Sequence, residues 1–119
     1  MIDEKWVRDY YRAVDSMNMK EYLEYHTDDV KFRFGSTETT TGKEPVEQSL
    51  NQLWNALRSL SHNMTGLWIL DNVAIVEADI TYIRKDGKVV PLPAATVIRI
   101  EDGKASDVRV NMDINPLFA

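Results

Sequence analysis

The stretch His62-NMTGLWILDNVAIVEADITYIRKDGKVVPLPAATVIRIEDGKASDVRVNMDINPLF-Ala119 decides the architecture of this chain. Runs rich in Val, Ile and Thr alternate in it with the pairs Asp71-Asn72, Asp86-Gly87 and Asp102-Gly103. An Asx-Gly pair reaches positive backbone angles at little steric cost, which is what a short hairpin turn requires. The spacing predicts a meander of strands at about 62–70, 73–84, 88–101 and 104–114. Pro91 and Pro93 have no N–H to give a sheet ladder, so the third strand is expected to open with a bulge or an edge stretch. A meander of this length curls around a cavity when something covers its open side.

The first 60 residues supply the cover. Trp6, Tyr10, Val14 and Met17 recur at helical spacing within 3–17. Asn18 followed by Glu21 resembles a capping box, which starts a second short helix at Met19 running to about His26. Val30, Phe32 and Phe34 alternate as a short strand, and the threonine-rich segment 35–42 reads as a loop or irregular edge. Pro45 suits a first helical turn. Behind it Val46, Leu50, Leu53, Trp54, Leu57 and Leu60 form an amphipathic stripe. The order is α-α-β-α-β-β-β-β, an α+β layout with helices on one side of a bent antiparallel sheet.

Composition narrows the partners. A chain of 119 residues is expected to form one domain, 1–119, with a proper core. Acidic residues outnumber basic ones 19 to 14, and no basic run occurs, so neither nucleic acid nor an anionic membrane is an expected partner. Cysteine is absent, which removes disulfides, thiolate metal sites and a cysteine nucleophile. The charged start, Met1-Ile2-Asp3-Glu4-Lys5, offers no signal-peptide core, and no run approaches a membrane span. The cytoplasm is the expected compartment, which makes the glycosylation pattern Asn63-Met64-Thr65 a chance match. No metal is expected, because no histidine pair has ligand spacing. Phosphate-binding glycine loops and a serine nucleophile elbow are missing too.

Several short motifs carry a resemblance that spans essentially the whole chain. They are His62-x-x-x-Gly66-x-Trp68, Val76-Glu77-Ala78-Asp79, Tyr82-x-Arg84-x-Asp86-Gly87 and the ending Met112-Asp113-Ile114-Asn115-Pro116-Leu117-Phe118. With the element order, they resemble the SnoaL-like branch of the nuclear transport factor 2-like superfamily. The resemblance implies a cone-shaped curved sheet closed by three helices, with a pocket between them. That superfamily holds limonene epoxide hydrolase, ketosteroid isomerase, scytalone dehydratase and polyketide cyclases, along with members that catalyse nothing, so individual residues must decide function.

The strand 73–84 splits by parity. Val76, Ala78, Ile80 and Tyr82 face one way, and Ile75, Glu77, Asp79, Thr81 and Ile83 the other. Pattern alone puts the polar set in water. Similarity to limonene epoxide hydrolase instead places Asp79 on that enzyme's acidic position inside the pocket, with the apolar set covered by a second subunit. The rest of that catalytic set is missing: Glu77 stands at the arginine position, Val110 at the second aspartate, and Phe34 and Ser36 near the water-positioning residues.

By the same kind of likeness Tyr10 matches the donor tyrosine of ketosteroid isomerase, whose aspartates fall on Phe34 and Thr96. Asp15 and His62 match an aspartate and a catalytic histidine of scytalone dehydratase. A carboxylate that accepts one imidazole N–H fixes the tautomer and frees the other nitrogen for proton transfer. A structural histidine that secures packing is the alternative for His62, and a surface helix position is expected for His26. Trp6, Trp54, Trp68, Tyr10, Phe32 and Phe34 could form an aromatic wall for a flat hydrophobic ligand, although helical and strand spacing already explains most of them as core.

The expectation is therefore a cofactor-free acid–base enzyme of isomerase, dehydratase or cyclase type for a hydrophobic polyketide-, steroid- or terpenoid-like molecule. Asp79, His62, Asp15 and Tyr10 would carry the chemistry, and Phe34, Trp54, Trp68, Glu77, Thr96, Val110 and Met112 would line the pocket. The alternative is a non-catalytic ligand-binding or dimerisation domain on the same scaffold. By resemblance the chain is expected to form a homodimer.

Overall fold

The computed structural model describes residues 2–119. Helix α1, Glu4–Asp15, is capped by the Asp3 carboxylate, which accepts from the Trp6 N–H. Asn18 caps α2, Met19–Glu24, through the Glu21 N–H, as the capping pattern implies. Strand β1, His26–Phe34, and the short β2, Thr40–Thr41, precede α3, Lys43–Trp54. The meander follows as β3 Leu57–Leu70, β4 Val73–Arg84, β5 Val89–Glu101 and β6 Lys104–Asn111, and the short α4, Asn115–Phe118, closes the chain.

The strands form one curved, unclosed sheet in the order β2-β1-β6-β5-β4-β3. The four meander strands pair antiparallel, as expected, but β1 joins β6 in parallel, with Phe32 opposite Val108. Asp102 and Gly103 both have positive φ, 51° and 79°, and close the pair Glu101–Lys104 as a two-residue hairpin turn. Asp71 has φ 52° between the paired Leu70 and Val73. Pro91 and Pro93 lie where β5 has only β4 as a neighbour, since the β6 pairing begins at Ala95. Their missing N–H groups break no ladder there.

Two boundaries differ from the expected ones. The stripe ending in Leu57 and Leu60 is not all helix: α3 stops at Trp54, and both leucines belong to β3. A register shift between Leu57 and Ser59 inserts one residue, so two positions three apart both point inward and mimic helical spacing. Helix α2 likewise stops at Glu24, and His26 opens β1 as a fully buried residue, not a surface helix position.

The parity of β4 is as read, but its inner face is the apolar one. Val76, Ala78, Ile80 and Tyr82 are at most 4% exposed in the core beneath the helices. Glu77 and Asp79 are exposed on the outer face. Burying one large apolar side chain gains about 1.5–3 kcal/mol, whereas an unpaired buried carboxylate is strongly unfavourable. The gap-free likeness that aimed Asp79 into the pocket loses to that difference. Among the described residues no helix is long and apolar enough to cross a membrane.

Candidate functional site

Between the helices and the concave face of the sheet lies a cavity whose wall is shared between aliphatic side chains and the aromatic Tyr10, Tyr11, Tyr22, Phe32, Phe34, Trp54 and Tyr82. Its polar side chains are those of the four tyrosines, Thr96 and His62. The space between the walls and out into the mouth is about 490 Å³, but only about 50 Å³ of it is open to the centres of water molecules. One water needs roughly 10–15 Å³ by that measure. The smaller figure is the one to set against ligand size, because the larger includes solvent at the mouth.

Asp15 is the last residue of α1, and His62 lies on β3. A carboxylate at a helix C-terminus meets the negative end of the dipole, so it needs its own donors. Here it has two. The His62 backbone N–H donates to Asp15 Oδ2 at 3.0 Å, and His62 Nδ1 lies 2.5 Å from Asp15 Oδ1. A carboxylate only accepts, so Nδ1 carries a proton and Nε2 is the nitrogen left without that partner. Among the described residues no group bonds Nε2. The Tyr11 ring packs against the imidazole with centroids 4.8 Å apart.

Tyr82 adds a donor that the sequence reading did not assign. Its ring is buried, its hydroxyl reaches only the Met112 thioether at 3.9 Å, and burial raises its pKa well above the ordinary range. It therefore stays protonated, with a weak acceptor as its sole protein partner among the described residues.

The Tyr10 hydroxyl is differently occupied. It lies 2.8 Å from Tyr22 Oη and 2.8 Å from His26 Nε2, while His26 Nδ1 lies 2.9 Å from the Tyr22 carbonyl oxygen. Burial lowers His26 to about 4, so the ring is neutral at pH 7. The Tyr10 proton is committed to His26 and is not free for a ligand, which corrects its expected role as a donor.

Of the expected wall residues, Phe34, Trp54, Thr96 and Val110 line the cavity. Trp68, 52% exposed, lies on the outer face with its ring folded over Gly66, where an added Cβ would come within 2.4 Å of it. Glu77 accepts from the Thr65 hydroxyl on that same outer face, and Met112 stands behind Tyr82 rather than on the wall. Asp79 shares an open outer groove with Glu77 and Asn111, away from His62. Phe32, also read as a wall residue, lines the cavity too, whereas Tyr11 and Tyr22 went unassigned, although Val7, Tyr11 and Val14 repeat at helical spacing beside the stripe that was read. Among the described residues, no three His, Cys, Asp or Glu side chains converge as a metal site would.

Helices closing a curved sheet over an aromatic cavity, with an aspartate-oriented histidine in its wall, define a small-molecule pocket scaffold. The chain belongs to the SnoaL-like domain family, whose model matches residues 7–108. It is similar to an NTF2-like protein of unknown function from Burkholderia pseudomallei, with TM-score 0.86 and 16% identity, covering 96% of this chain and 92% of that one. It is also similar to TerC, co-crystallised with polyporic acid, with TM-score 0.81 and 14% identity over 96% and 93%. A putative SnoaL-like polyketide cyclase from Jannaschia aligns with TM-score 0.78 and 15% identity over 97% and 90%. At these identities the structural likeness speaks for the fold. No curated protein matches the sequence.

Proposed function

We propose that this chain is a cofactor-free acid–base enzyme acting on an aromatic, polyketide-like ketone or enol. The observation that carries the reading is the Asp15–His62 pair in the wall of an aromatic cavity. His62 Nε2 takes a proton from a carbon next to a carbonyl, and Asp15 holds the resulting imidazolium. The Tyr82 hydroxyl donates to the enolate oxygen. Returning the proton to another carbon gives isomerisation, and giving it to a departing hydroxyl gives dehydration. The co-crystallisation of TerC with polyporic acid and the naming of the Jannaschia protein as a putative polyketide cyclase support a ligand of this kind.

The test needs no native substrate. Exchange of the acidic C–H protons of β-tetralone in D2O, followed by proton NMR, reads the proposed step directly. His62→Ala is expected to slow enzyme-dependent exchange by about 10²–10⁴-fold. Asp79→Asn, on the outer face, is expected to leave it unchanged. Equal rates for wild type and His62→Ala overturn the catalytic reading. The narrow open space favours a second reading, a ligand-binding domain without turnover. Saturable binding with no exchange selects it.

The expected homodimer also enters as a proposal. Trp68 and Leu70 are 52% and 65% exposed near the end of edge strand β3, where a second copy would cover them. Sedimentation of a monomer at all concentrations removes it.

A further inference from the structure

Tyr10, Tyr22 and His26 form a buried polar cluster that the proposed proton transfer leaves unused. Its hydrogens are fixed by elimination. The Tyr22 carbonyl oxygen has no proton, so His26 Nδ1 must donate across the 2.9 Å contact. A neutral ring then has a bare Nε2, and the Tyr10 hydroxyl at 2.8 Å must donate to it. With its single proton spent, Tyr10 accepts from the Tyr22 hydroxyl across their 2.8 Å contact. Burial raises the pKa of both tyrosines, so neither hydroxyl loses its proton at ordinary pH. Every proton in the cluster points to another member of the cluster. Both tyrosines also line the cavity, and their hydroxyls have only lone pairs left for whatever enters it.

We propose that the Tyr10–Tyr22 wall presents hydrogen-bond acceptors only and selects ligands that carry a hydroxyl or N–H donor. His26 is the positioning residue that sets this polarity. The inference rests on the cavity being the ligand site, and it deepens that reading by adding a demand on the ligand. The opposite polarity stands at Tyr82, a donor with a thioether as its protein partner. A molecule satisfying both ends carries a hydroxyl toward Tyr22 and a carbonyl toward Tyr82. Hydroxy-ketones and hydroxyquinones have that pattern, whereas simple ketones and ethers leave the tyrosine wall unpaired. Leaving a buried polar group without a partner is the stronger basis for rejecting a ligand.

The probes are phenol, which brings a donor, and anisole, which has the ring and oxygen but no donor. Isothermal titration calorimetry at pH 7 is expected to show phenol binding at least tenfold tighter in the wild type. His26→Leu frees the Tyr10 proton, and the preference is expected to fall below twofold. Tyr22→Phe removes one of the two acceptor hydroxyls and is expected to reduce the preference, which keeps the test sound if His26→Leu does not fold. Nitrogen-15 shifts of His26 in the wild type give a ligand-free check: the Nδ1–H tautomer is expected, and the Nε2–H tautomer overturns the proposal. Equal binding of both probes to the wild type overturns it alone. So does a preference that is undiminished in every folded variant of the pair. Failure of both probes to bind overturns it together with the ligand-site reading.

Discussion

At the scale of single residues, His26 makes acid stability legible. Its pKa falls from 6.5 unfolded to about 4 folded, mainly through burial among Tyr10 and Tyr22, with the Lys43 charge adding to the shift. Between those values the unfolded chain binds more protons, so stability increases with pH. The contribution is complete above about pH 6.5 and is lost as pH falls toward 4, with an upper limit of about 3 kcal/mol. Asp9 and Asp86 lie below the usual 3.8 because Lys5 and Arg84 hydrogen-bond their carboxylates, so they act only at lower pH and do not blur this window. Urea unfolding at pH 7.5, 5.5 and 4.5 should show the loss in the wild type and a flat profile in His26→Phe. That variant also starts lower, by about 1–3 kcal/mol, because the Tyr10 proton loses its acceptor. A wild-type stability constant across this range would mean that His26 is not held neutral.

At the scale of elements, the C-terminal segment is docked onto β1 through one glycine. Gly35 has φ 59° and its N–H donates to the Val110 carbonyl at 2.8 Å. A Cβ there would lie 2.5 Å from Ile114 Cγ2 and 3.0 Å from the Met112 carbonyl oxygen. Gly35→Ala therefore carries about 1–2 kcal/mol of left-handed strain and also pushes the 112–118 segment outward. A lower Tm with faster proteolysis around Ile114 is expected, and unchanged cleavage would show that the contact does not hold the segment. The elements themselves were readable to different degrees. The meander was plain because period-two runs are punctuated by Asx turns whose positive φ the structure shows at Asp71, Gly87 and Asp102. The start of β3 was hidden because the extra residue after Leu57 copies helical spacing. The parallel β1–β6 pair left no local trace, since β1 and β6 are distant in sequence. The contact of Asp15 with His62 was legible only through family likeness. His26 was misread because Asp28 and Asp29 beside it are solvated, although its place four residues after Tyr22 puts its ring on the Tyr22 carbonyl.

At the scale of the whole molecule, one cavity shares its walls among α1, α2, α3 and the strands β1, β3, β4, β5 and β6, so ligand space and stability draw on the same side chains. Close-packed interiors lose contacts for every void they keep. The present balance leaves about 50 Å³ open to water centres, which is far below the roughly 300–1,000 Å³ of typical ligand pockets. A bicyclic ligand must therefore displace a wall. Leu60, 5% exposed on β3, is the test position because it lines the cavity and has no hydrogen-bonding side chain of its own. Leu60→Ala is expected to cost about 2–5 kcal/mol in denaturant unfolding. If wall volume limits the ligand, the same variant should bind naphthalene at least tenfold tighter than the wild type, as fluorescence titration would show, because a dry apolar void accepts an apolar ring. A destabilised variant with unchanged naphthalene binding would move the limit to the rest of the wall, such as Phe34 and Leu53, which border both the cavity and an outer groove that Phe118 also lines. Ligand size would then depend on how far the C-terminal helix can swing, and the Gly35 contact would control access as well as stability.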